Sequence, residues 1–239
     1  MTAALSPAER ELLAIYTRQA YDAYLSENLR DAQVRISQIE ALNPGDIHAR
    51  FLRGAVLGRQ ARPGAEMGKI RSAVELWRPL AEQLEGEAQT AMKDAIAEAL
   101  STILYIPVDL VSRQWDTYCD RRTATAIADT VRTLLEQEDS YGSRETDAYA
   151  RWIQQCYREN YVFLVDEITG SNKPIPVGAP PAVAEAFEAA LTEVARMAER
   201  IPGSGESECA VKRNAADKLQ RFREHNAASV RAGKPADRK

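Results

Sequence analysis

Two histidines, His48 and His225, and three cysteines, Cys119, Cys156 and Cys209, supply the imidazoles and thiols of this 239-residue chain, groups that suit metal binding or covalent chemistry. Neither histidine has a second His, Cys or carboxylate at ligand spacing on the same expected helix face, and no Cys-x-x-Cys pair occurs. Neither a zinc site nor a disulfide framework is therefore indicated, and the cysteines read as reduced thiols. A phosphate-cradling Gly loop, a nucleophile elbow and a His-Glu-x-x-His pattern are all missing from the sequence. No metal and no cofactor are expected. The acidic clusters Glu136-Gln137-Glu138-Asp139 and Glu206-Ser207-Glu208 read as a solvated helix end and a loop. An all-α enzyme working through carboxylates gathered from distant parts of the chain is an alternative that spacing does not display.

Charge narrows the remaining classes. The formal net charge is -4, but residues 212 to 239 hold nine Lys and Arg against three Asp and Glu, a local +6, which leaves -10 for the body. An acidic body disfavours broad nucleic-acid binding, whereas the basic tail keeps a nucleic-acid-associated role open as an alternative. In the tail Lys212, Arg213, Lys218, Arg221 and Arg223 fall partly on one helical side, with Phe222 the one interleaved aromatic. That is thin for stacking on bases. The N-terminus MTAALSPAERELL has no basic stretch followed by an apolar one, and no later apolar run is read as long enough to cross a bilayer. A cytoplasmic protein without a membrane partner is expected.

The elements that must position any site are helical. Ala, Leu, Glu, Arg and Gln dominate, and the 12 Gly and 11 Pro fall mostly where a helical pattern breaks. Ser6-Pro7-Ala8-Glu9 is a capping box with Pro at the first helical position, and Leu12, Leu13, Tyr16, Ala20, Ala23 and Tyr24 follow at spacings of three and four. A second helix places Leu29, Ala32, Ile36 and Ile39 on one stripe and must stop at Asn43-Pro44, because the residue before a proline is pushed out of helical geometry. A third carries Ile47, Phe51, Gly54, Val56 and Leu57. The fourth contains Trp77 and an interior Pro79, where a kink or split is expected. Ala88, Ala91, Ala95, Ala99 and Ile103 form a narrow small-residue stripe that lets a neighbour approach closely. Pro107 is expected to open a separate short helix through Trp115 and Tyr118, and Ser143 or Thr146 to cap the helix that carries Trp152 and Phe163.

The segment from about residue 13 to 58 resembles a tetratricopeptide repeat. That family's unit of about 34 residues has small residues at its eighth and twentieth positions and a proline at the thirty-second. With Pro44 as that proline, Ala20 and Ala32 take the small positions, Leu29 and Ile36 the bulky ones and Tyr16 the aromatic one, and Gly54 takes the small position of a second unit. Gln19 and Ile39 depart from the pattern. The resemblance implies an inner surface lined by first helices, here Thr17, Arg18, Tyr21 and Tyr24, then His48, Phe51, Ala55 and Arg59. The family's best-known carboxylate clamp uses Lys and Asn at the fifth and ninth positions, where this chain has Phe51 and Ala55. An aromatic stripe at helical spacing also serves as core, so Tyr21, Tyr24 and Phe51 have a packing reading beside the binding one.

The expected fold is all-α, with antiparallel helical hairpins in a right-handed array like that of tetratricopeptide repeats or in an irregular bundle. Four segments are expected: a helical-hairpin domain over 1–169, a Pro- and Gly-rich linker over 170–181, a helix over 182–203 packing on the body, and a basic helix with a disordered tail over 204–239. Residues after about 203 are expected to be dispensable for folding and to contribute to partner binding. The expected function is that of a scaffold or adaptor holding a peptide or helix of another protein.

Overall fold

The computed structural model describes residues 5–144, 146–170, 173, 176 and 179–232, with side chains described as far as Asn226. The described residues are helical with no strand: α1 (Pro7–Leu25), α2 (Leu29–Leu42), α3 (Ile47–Arg59), a 3₁₀ turn (Ala65–Met67), α4 (Gly68–Gln83), α5 (Gly86–Tyr118), α6 (Arg121–Gly142), α7 (Ala148–Thr169), α8 (Pro181–Glu199) and α9 (Glu206–Ala232).

Short-range signals set the helix starts. Glu9 N–H donates to Ser6 Oγ at 3.3 Å while Ser6 N–H donates to Glu9 Oε2 at 2.8 Å, which completes the expected capping box. Asn28, Asp46, Asp120 and Asp147 cap α2, α3, α6 and α7 by accepting from backbone N–H groups. The cap of α7 is thus Asp147 rather than Ser143 or Thr146.

Two prolines sit inside continuous helices. Pro79 lies within α4 and does not split it. Pro107 does not open a new helix but lies inside α5, which runs unbroken for 33 residues. An interior proline costs about 3 kcal/mol, yet Ile103, Leu104, Val108 and Val111 around Pro107 are each 0% exposed. Burying each such side chain contributes about 1.5–3 kcal/mol, so packing outweighs the lost hydrogen bond. Joined in this way, α5 contains an 18-residue window of mean hydropathy 1.5, long and apolar enough by length and composition to cross a membrane, contrary to the expectation from sequence. Half of that window is buried inside the protein.

The chain forms two compact units, one from Met1–Ala61 with Gly68–Ile103, the other from Arg62–Met67 with Leu104–Lys239, of which only the described residues are discussed. The division falls within α5 and not at the Pro- and Gly-rich stretch 170–181, six residues of which lie outside the described ones. In the first unit each helix packs on its successor, α1 on α2, α2 on α3 and α3 on α4, with α1 also touching α3. The close approaches explain its small residues. A Cβ on Gly54 would lie 2.8 Å from Trp77 Cε2, and one on Gly58 would lie 2.7 Å from Ile103 Cδ1. Trp77 Nε1 donates to the Phe51 carbonyl at 2.9 Å, so the edge of the indole that carries this nitrogen occupies the space a side chain on Gly54 would take.

In the second unit α6 packs on α7 and α8, and α9 packs on both α7 and α8. Residues after 203, expected to be dispensable for folding, contribute side chains to the interior of this unit. Val211, Ala215, Lys218 and Phe222 of α9 are buried, and the Phe222 ring lies 6.5 Å from that of Phe187 on α8. Residues 233–239, part of the expected disordered tail, lie outside the described residues.

Candidate functional site: an aromatic cleft in the first unit

A cleft of about 250 Å³ opens between α1, α3 and the first half of α5, lined by Tyr21, Tyr24, Leu25, Phe51, Arg59, Ala95, Glu98, Ala99 and Thr102. Its walls follow from helical spacing. Tyr24 and Leu25 follow Tyr21 by one turn on α1, and Ala95, Glu98, Ala99 and Thr102 recur at three and four on α5. The small side chains of Ala95 and Ala99 leave room between the helices, while Phe51 and Tyr24 supply apolar surface.

The aromatic groups pack on one another. The Tyr21 and Phe51 rings stack with centroids 6.4 Å apart, Phe51 stacks in turn on Trp77 at 6.1 Å, and His48 meets Tyr21 edge-on at 6.0 Å. Tyr21 Oη and His48 Nδ1 are hydrogen-bonded at 3.2 Å. The Arg59 guanidinium lies 4.2 Å over the Tyr24 ring and donates to the Tyr24 carbonyl at 3.2 Å, with Glu27 at 3.9 Å. Burial pushes the Tyr21 and Tyr24 phenols up, aided at Tyr21 by Asp46 and opposed at Tyr24 by Arg59. Both therefore act as neutral hydroxyls over the physiological range.

Of the residues expected at the inner surface, Tyr21, Tyr24, Phe51 and Arg59 meet in this cleft. His48 reaches it only through Tyr21, and Thr17 and Arg18 are not among its lining residues. Ala55 is fully buried. Tyr24 and Phe51 are each 7% exposed and also form part of the cleft wall, so the packing reading of the stripe applies to residues that line a cavity. The α5 side was not assigned to the surface from sequence, although the Ala stripe marked it as a place of close approach. A second cleft of about 390 Å³ lies between α2, α3 and α4, lined by Ile36, Val56, Leu57 and Leu76 among others.

Chemistry elsewhere is tied up in packing. The acidic cluster around Glu138 is not a solvated helix end: Glu138 is 0% exposed and Gln137 is buried. Gln154, Arg158, Tyr161 and Arg200 all donate to the Glu138 carboxylate, at 3.0, 2.7, 3.3 and 2.6 Å. Burial and this carboxylate push the Tyr161 phenol far up. The three cysteines are unpaired, and burial pushes the Cys156 thiol up to about 12. No group of three or more potential metal ligands occurs among the described residues.

The basic tail is likewise partly spent. Lys212 donates to the Gly203 carbonyl, Lys218 to those of Thr169 and Gly170, and Arg223 pairs with Glu188 at 2.7 Å. Phe222 is inside the core rather than offered to a base.

No protein-family model, curated protein or solved structure matches the chain.

Proposed function

We propose that the first unit is a protein-interaction scaffold of tetratricopeptide-like build, taking a peptide or helix of a partner protein in its aromatic cleft. The observation that carries this reading is that alternate helices, α1, α3 and α5, line one cleft, as the first helices of successive hairpins would. The fit of Ala20, Ala32 and Gly54 to buried close-approach positions supports it. Two side-chain properties define the segment that suits this cleft. Tyr21, Phe51, Ala95 and Ala99 favour an apolar anchor, and rigid aromatic groups offer contact area at low entropic cost. Glu98 is exposed, and although Thr102 Oγ1 donates to its backbone carbonyl, its carboxylate accepts no hydrogen bond among the described residues, which favours a Lys or Arg near that anchor.

Selection of displayed peptide libraries on the purified protein tests the reading. Enriched peptides should pair an apolar residue with a basic one and lose binding to Leu25→Glu, a change at a residue 69% exposed. They should retain binding to Ser37→Glu in the other cleft. Glu98→Lys should turn the selected charge from basic to acidic. Peptides indifferent to both Leu25→Glu and Glu98→Lys would place binding elsewhere.

A further inference from the structure

We propose that the cleft between the C-terminal end of α7 and α9 in the second unit is an oxyanion site that takes the phosphate group of a small phosphate ester. The cleft has a volume of about 230 Å³, and Lys173, Lys218, Arg221, Asn214 and Asp217 line it together with Thr169 and Gly170. Asn214, Lys218 and Arg221 stand at i, i+4 and i+7 of α9, so a single helical face supplies an amide, an ammonium and a guanidinium to one concavity.

The structural roles of these groups leave donors unspent. Lys218 Nζ donates to the Thr169 and Gly170 carbonyls, both at 3.3 Å, and lies 5.3 Å from the centre of the Trp115 ring. It thereby caps the last carbonyls of α7 with two of the three N–H groups that an ammonium carries. Lys173 pairs with Asp116 at 2.6 Å, with Glu167 at 3.9 Å. The Arg221 guanidinium and the Asn214 amide have no side-chain hydrogen bond or ion pair among the described residues. Three cations thus share the cleft with Asp217 as the one lining carboxylate among the described residues, and Asp116 and Glu167 compensate Lys173 from outside the lining.

Gathering like charges in one concavity costs free energy that a bound anion recovers. At Lys218 burial pushes the ammonium down to about 8, with the neighbouring Lys173 charge as a secondary cause and Asp116 opposing. A guanidinium fork beside an ammonium and an amide matches the tetrahedral oxygens of a phosphate, and the net positive lining favours a dianion over a monoanion.

Thermal melts of the full chain at pH 7 in potassium phosphate, potassium sulfate, potassium acetate and potassium chloride, matched in ionic strength, test the site. Phosphate is expected to raise the midpoint saturably and acetate to behave as chloride does. Arg221→Gln, at an exposed residue without a described partner, should keep the melting temperature in chloride and weaken the phosphate response by about tenfold in concentration. Phosphate should also slow acylation of Lys218 relative to Lys69 in peptide mapping. Equal phosphate responses of the wild type and Arg221→Gln, an acetate response matching phosphate, or acylation of Lys218 indifferent to phosphate would each overturn the proposal.

Discussion

The first unit is a row of helices and the second is a closed cluster, and the two use polar residues in opposite ways. In the row, α1 to α4 meet mainly their sequence neighbours, and contact is made through small side chains and stacked rings. Gly54 admits Trp77, Gly58 admits Ile103, and the charged pair of Arg53 and Glu40 stays on the surface. A row leaves one side of its helices uncovered, and the aromatic cleft lies there. In the cluster, α6, α7, α8 and α9 cover one another, so polar groups trapped inside need partners. Glu138 gathers four donors, and Ser112, 0% exposed, donates to the Glu167 carboxylate at 2.8 Å. The open arrangement exposes a surface, whereas the closed one must satisfy every buried charge.

That contrast can be broken most severely in the cluster. Glu138→Leu strands the donors of Arg158, Arg200, Gln154 and Tyr161, and should cost about 3–5 kcal/mol in the free energy of unfolding measured by denaturant titration. A neutral result would mean that the network is idle. Phe222→Ala should cost about 3 kcal/mol by opening a cavity against Phe187. The same titration on this variant reports whether α9 is integral to the core.

In the row, Gly54→Leu drives a side chain into the Trp77 indole and should destabilise by about 1–3 kcal/mol through overpacking. Quenching or shift of Trp77 emission would accompany it, and an unchanged midpoint would mean that α3 and α4 do not meet there.

Lys218 offers a subtler test, read in pH. Its folded pKa of about 8 lies below its ordinary 10.5, so between these values the unfolded chain holds more protons and stability rises with pH. Below pH 8 the buried charge costs stability throughout. Lys218→Met should flatten the stability profile between pH 8 and 10.5 relative to the wild type, and superimposable profiles would contradict the depressed pKa. The smallest effect on stability is expected for Leu25→Glu, within about 0.5 kcal/mol, although this is the change expected to abolish peptide binding.

Much of the row was legible in the sequence because its determinants are local. Ser6 and Glu9 close a cap across three residues, Pro44 follows the end of α2, and the small residues Ala20, Ala32 and Gly54 recur where helices one or two steps apart must touch. The same periodicity brought Tyr21, Tyr24, Phe51 and Arg59 to one surface. It could not supply the α5 wall, because Ala95 and Glu98 face that surface only through the packing of a helix distant in sequence. Pro107 was read as a start by its local chemistry alone, and only the burial of Ile103, Leu104 and Val108 reveals that packing carries α5 through it.

Composition, caps and spacing by themselves determined that the chain is helical, where most helices begin and which residues are small for close contact. Those effects act within about one helical turn. Tertiary structure alone decided the fates of Glu138, Lys218 and Phe222, which sequence placed on a solvated helix end and a basic tail. The donors to Glu138 lie 16, 20, 23 and 62 residues away, and Lys218 reaches carbonyls 49 and 48 residues back. A charged side chain reads as exposed until a partner is in view, since burial without one costs several kcal/mol, and partners at such separations meet only when the helices close on one another.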